Sequence, residues 1–128
     1  MWLWAISGAR AIRREAREAM DRAAEKDELL VPIIAVWEVG MLDAKRRIEI
    51  LRPVEDWVAD ALALPGYQLA LLTPDIALLC HRLPGTLHGD PADRLIVATA
   101  IALDATLVTR DQGLLAYGAR GHVKVLAA

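Results

Sequence analysis

Hydrophobic positions along this chain follow two rhythms. Short unbroken apolar runs alternate with stretches where apolar residues return every three or four positions. The first pattern marks strands buried on both faces, the second helices with one buried face. Strand-like runs lie at residues 1–6, 28–31, 67–72, 105–109 and 123–126. Between the first two, residues 10–26 place Ile12, Ala16, Met20 and Ala23 on one face and arginines and glutamates on the other. Residues 33–46 predict a second helix, with Ile34, Trp37, Met41 and Leu42 on its apolar face and residues 47–51 as a connector. Pro53 opens a helix to about Leu64, and Thr73 with Pro74 opens another to about Leu83. Pro65-Gly66 and Pro84-Gly85 stop them, the latter starting a loop that ends at Gly89. Strands separated by helices throughout predict a three-layer α/β/α fold around a central, mostly parallel sheet. With no linker, repeat or low-complexity segment, residues 1–128 form one predicted domain.

Residues 90–115 are the densest segment. Asp90 suits a helix cap, Pro91 the first helical position and Asp93 the first turn. Residues 95–103 are apolar almost all round, as in a helix buried on most faces. A strand over 105–109 follows, then Arg110 and Asp111 at its carboxyl end, and a short helix over 112–116. Acids at the carboxyl ends of strands in an α/β protein stand where active sites are built.

Three acids have both a structural and a chemical reading. Glu38 stands four residues after Ile34 and four before Leu42, on or beside the apolar face of its helix. It either reaches solvent at the edge of that face or sits in a pocket with a cation, because a buried carboxylate without a partner is costly. Asp93 completes a capping-box pattern with Asp90 and gains from the helix dipole, or serves as a ligand. Asp111 caps the helix after it or serves as a ligand beside Thr109. Thr99, inside an apolar helix, is expected to bond its own backbone.

Composition removes several alternatives. Hydrophobic residues make up 55% of the chain, well outside the range of disordered proteins. No apolar run approaches the ~18 residues that a membrane span needs, and the N-terminus lacks the basic and long apolar regions of a signal peptide. Cys80 is the single cysteine, which excludes an intramolecular disulfide and a multi-cysteine zinc site and suits a reducing cytoplasm. His81, His88 and His122 show neither triad nor ligand spacing. The net charge of −2 argues against binding nucleic acid mainly by neutralising phosphates, so any affinity for RNA must come from local charge or bound metal. Arg10, Arg13, Arg14 and Arg17 read as a solvated face paired with Glu15 and Glu18. Lys45, Arg46, Arg47 and Arg52 are the better candidates to touch RNA or an acidic partner.

The run from Asp93 to Ala100, DRLIVATA, followed by Thr109-Arg110-Asp111 and Tyr117-Gly118, resembles the C-terminal half of PIN-domain ribonucleases. Within that family it is most similar to VapC-type toxins of type II toxin–antitoxin pairs. Trp37-Glu38, Trp57, Leu72-Thr73-Pro74, Leu83-Pro84 and Val123-Lys124-Val125 extend the resemblance over nearly the whole chain. It implies an endoribonuclease using Mg2+ or Mn2+, with Glu38, Asp93 and Asp111 as metal ligands and Thr109 positioning water or phosphate. It also implies a cognate VapB-type antitoxin, an RNA substrate, a homodimer within a toxin–antitoxin complex, and a cytoplasmic location away from membranes. The family usually opens with a strand ending in an aspartate, as in Leu-Asp-Thr-His followed by Leu-Trp. Here Leu3-Trp4-Ala5-Ile6-Ser7 matches the end of that pattern and Met1 stands after the aspartate. The expectation is therefore a truncated first strand, one ligand fewer and weakened activity. Two other functions fit the same residues. One is a catalytically impaired PIN-like module that sequesters antitoxin or joins it on operator DNA. The other, a poorer match, is a metal-dependent phosphatase or deoxyribonuclease.

Overall fold

In the computed structural model, which describes residues 2–4 as backbone and residues 12–128, the apolar runs become strands of a single sheet. The elements in chain order are β1 (Trp2–Trp4), α1 (Arg14–Glu25), β2 (Leu29–Pro32), α2 (Ile33–Ala44), α3 (Val54–Leu62), β3 (Tyr67–Ala70), α4 (Pro74–Leu79), α5 (Pro91–Ala102), β4 (Thr106–Thr109), α6 (Gln112–Ala119) and β5 (Val125–Ala127). The sheet order is β3-β2-β1-β4-β5, and every pairing is parallel. The predicted first strand is three residues long in the structure and holds the centre of the sheet, with Trp2 to Trp4 in register with Thr106 to Val108. The expected Ala5-Ile6 extension and the break at Ser7-Gly8 fall outside the described residues.

Strand side chains alternate between two cores, which accounts for the three layers. Leu29 and Val108 pack with Ala16, Met20 and Ala23 of α1 on one face. Their neighbours Leu30 and Leu107 face the other side, against Ile96, Val97 and Ala100 of α5 and Leu114 and Tyr117 of α6. A smaller cluster of Ile76, Cys80 and Ala98 joins α4 to α5.

Several boundaries differ from the sequence expectation for physical reasons. Helix α1 starts at Arg14, because Arg13 is extended (φ −58°, ψ 143°). Helix α2 buries Ala35 and Val39, not Trp37, which is 58% exposed. Two residues along an α-helix is a rotation of about 200°, so Trp37 cannot share a face with Ala35. The apolar pattern misled because α2 is apolar on several sides. Helix α4 is one and a half turns and gives way to a turn at Cys80 and His81 and a bend at Arg82. Strand β3 ends at Ala70, leaving Leu71 and Leu72 exposed. Helix α6 runs past Ala116 to Ala119, since Gly118 is a packing contact and not a breaker: a Cβ there would lie 2.3 Å from Val125 Cγ2. At Gly66 (φ +83°) a Cβ would stand 1.9 Å from the Ala24 carbonyl oxygen, so glycine alone permits the turn into β3.

Candidate active site

Parallel strands share one carboxyl edge, and the order β3-β2-β1-β4-β5 reverses direction between β1 and β4, where α/β sheets open a crevice. Three helices bring their N-terminal ends to this edge. Helix α2 follows β2 directly, with Pro32 as its N-cap. Helix α6 follows β4, with Asp111 as its N-cap. Helix α5 ends in a tight turn leading into the start of β4, so it runs back along the sheet and its beginning lies at the same edge.

Each acid is placed by its helix. Asp90 caps α5, its Oδ1 accepting the Asp93 N–H at 2.9 Å, and Asp93 stands in the first turn. Asp111 caps α6 through Oδ1, which accepts the Leu114 N–H at 2.9 Å. A cap occupies one carboxylate oxygen, so the structural and chemical readings of Asp111 are compatible. Glu38 lies one turn beyond Ile34, which packs against the main core, and α2 rests on α5. That places Glu38 half-buried beside the start of α5.

The carboxylates feel one another. Burial raises the Glu38 carboxyl from 4.5 to about 7, with the negative charges of Asp93 and Asp90 adding to the rise. Burial also raises Asp93 above the usual carboxylate range, helped by the charges of Asp90 and Asp111. Glu38, Asp90 and Asp93 thus lie within electrostatic reach of one another, and Asp93 within reach of Asp111. The sequence pattern assigns Asp90 the role of a cap alone. Its i, i+3 spacing from Asp93, on the same first turn, was the signal that it faces the same space.

Among the described residues, no three His, Cys, Asp or Glu side chains are grouped tightly enough to grip one metal ion. The chemistry of the set still fits a hard cation. Its donors are all oxygens, neighbouring negative charges help raise the carboxyls of Glu38 and Asp93, and a divalent charge would relieve that repulsion. Mg2+ in particular keeps several waters and binds through one or two carboxylates plus substrate phosphate.

The remaining candidates fall elsewhere. Thr109 is 2% exposed, and its hydroxyl accepts the Asp111 N–H at 3.1 Å. It therefore shapes the turn beneath Asp111. Thr99 bonds its own backbone, donating to the Leu95 carbonyl at 2.7 Å. Arg52 is tied to Asp60 at 2.6 Å and Arg14 to Glu18 at 2.8 Å, while Lys45, Arg46 and Arg47 are exposed after α2. His122 packs its ring on Tyr117, with centroids 4.8 Å apart, in a structural role.

The PIN domain family model matches residues 1–119. The chain belongs to the PIN-domain family. This PIN domain is 35% identical over 114 residues to ribonuclease VapC22 of Mycobacterium tuberculosis (strain ATCC 25618 / H37Rv), a match spanning 87% of the chain and 82% of that relative. It is a VapC-type PIN domain. Its fold also matches a chain in the crystal structure of VapBC2 from Rickettsia felis bound to a DNA fragment from their promoter. The TM-score there is 0.63 at 15% identity, covering 87% of this chain and 83% of the other. The three-layer arrangement expected from the sequence is therefore the PIN fold. Among the described residues no helix is long and apolar enough to cross a membrane.

Proposed function

We propose that this PIN domain is a metal-dependent endoribonuclease, the toxin of a toxin–antitoxin pair kept inactive by its cognate antitoxin. The observation that carries the reading is the gathering of Glu38, Asp93 and Asp111 with Asp90 at the carboxyl edge of the sheet. The relative named a ribonuclease and the solved VapBC2 assembly support the substrate class and the partner.

In this reading Glu38, Asp93 and Asp111 hold Mg2+ or Mn2+. When bound, the cation supplies charge neutralisation at a phosphodiester and activation of a water. Each residue has a part. Asp93 is presented by the first turn of α5, whose N-terminal dipole favours its ionised form against the repulsion of its neighbours. Asp111 is fixed from both sides, by its own cap bond and by the Thr109 hydroxyl beneath it. Glu38, whose carboxyl is raised to about 7 by burial, would have to be deprotonated to serve as a ligand. Asp90 holds the Asp93 backbone and adds negative charge that strengthens the pull on a cation.

A panel of RNA, DNA and phosphomonoester substrates with Mg2+ tests the reaction class. The proposal expects internal cleavage of RNA alone. Hydrolysis of a phosphomonoester, or equal cutting of DNA, contradicts it.

A second reading has its own observation. The lack of a tight three-donor group among the described residues favours a PIN-like module that has lost catalysis and captures antitoxin, or joins it on operator DNA. Such a module binds antitoxin yet leaves RNA intact at every Mg2+ concentration, whereas the enzyme's cleavage rises with Mg2+.

A further inference from the structure

The loop between α4 and α5 ends at Asp90, and side chains from the acid-bearing helices hold it in place. Arg94, next to Asp93 on α5, donates from Nε to the Cys80 carbonyl at 3.0 Å and from Nη1 to the Leu87 carbonyl at 3.1 Å. From the α6 side, the Tyr117 hydroxyl donates to the Pro84 carbonyl, and Arg120 Nη2 to the Thr86 carbonyl at 2.7 Å. A planar guanidinium spans two carbonyls seven residues apart, which a compact ammonium does less well.

The end of this loop rests on Asp93. At Gly89 a Cβ would lie 2.9 Å from Asp93 Cβ and 3.4 Å from its Oδ2. Gly89 is not in the left-handed region, so its backbone accepts alanine and only the Asp93 side chain resists one. Leu87, gripped by Arg94, is two residues before Gly89 and three before the cap Asp90.

We infer that Arg94 is a positioning residue for the Asp93 carboxylate. Its clamp on Cys80 and Leu87 sets Gly89 against Asp93 and Asp90 over the Asp93 N–H. Arg94 acts through the loop and contacts neither cation nor RNA. The inference rests on the reading of Asp93 as a cation ligand.

The test compares wild type, Arg94→Gln, Arg94→Lys, Gly89→Ala and Asp93→Asn as full chains, by two readouts. The first is Mn2+ affinity by electron paramagnetic resonance; the second is hydrogen exchange of the Asp93 amide in metal-free protein. Arg94→Gln and Gly89→Ala should each weaken Mn2+ binding by about 10- to 100-fold and speed exchange at Asp93, with Arg94→Lys recovering part of the loss. Gly89→Ala removes no donor or acceptor from the hydrogen bonds of Arg94 and serves if Arg94→Gln does not fold. Wild-type affinity in both variants, with binding lost in Asp93→Asn, overturns the inference and leaves the proposed function standing. Wild-type affinity in Asp93→Asn overturns the ligand assignment instead. In that event the Asp93 amide decides the clamp, and unchanged exchange in the variants refutes it.

Discussion

Glu38 illustrates how a half-buried acid costs the fold stability that a ligand role would explain. Its carboxyl is raised to about 7 against an ordinary 4.5, so the folded chain holds its proton more tightly than the unfolded chain. Stability from that proton is fully present below about pH 4.5 and is lost as pH rises towards 7. Glu38→Gln should therefore raise the Tm of metal-free protein at pH 8, and the gain should fade towards pH 4.5; a gain independent of pH contradicts this origin. At the residue scale the sequence revealed much of the candidate site. Helical spacing placed Glu38 beside the apolar stripe, and caps and strand ends placed Asp93 and Asp111. The alternation between strand faces that buries Thr109, and the shared space of Asp90 and Glu38, depend on contacts between distant segments that no local pattern carries.

At the scale of elements, legibility followed the strength of local signals. Helix α5 was plain because cap, proline and apolar run agree, and its observed bounds match the expectation closely. Helix α2 was found but its buried face was misread, since an almost uniformly apolar helix has no preferred side in its sequence. Helix α6 extends three residues past its expected end at Ala116, and Gly118 within that extension lets α6 approach β5. This contact predicts a reversal of sign. In an open helix, Gly→Ala stabilises by up to about 1 kcal/mol. Here Gly118→Ala meets Val125 and should destabilise by about 1–3 kcal/mol in urea denaturation, and Val125→Ala in the same chain should recover part of the loss. Additive effects in the double variant contradict the contact.

For the whole molecule, an all-parallel sheet with its order reversing between β1 and β4 turns scattered acids into one edge. The fold class could be read from the alternation of runs, but the strand order that gathers residues 38, 90, 93 and 111 could not. If this edge is a toxin's active site, expressing the chain alone should arrest bacterial growth, while Asp93→Ala or co-expression of the cognate antitoxin should restore it. Arrest by a folded Asp93→Ala variant equal to wild type contradicts a nuclease origin of toxicity. The most direct measurement is RNA cleavage by purified wild type and Asp93→Asn across a Mg2+ titration, with both proteins shown to be folded. The account predicts wild-type cleavage that rises with Mg2+ and vanishes in EDTA, and a rate at least about 100-fold lower in the variant. Equal cleavage by the two proteins, or wild-type cleavage that persists in EDTA, would contradict it.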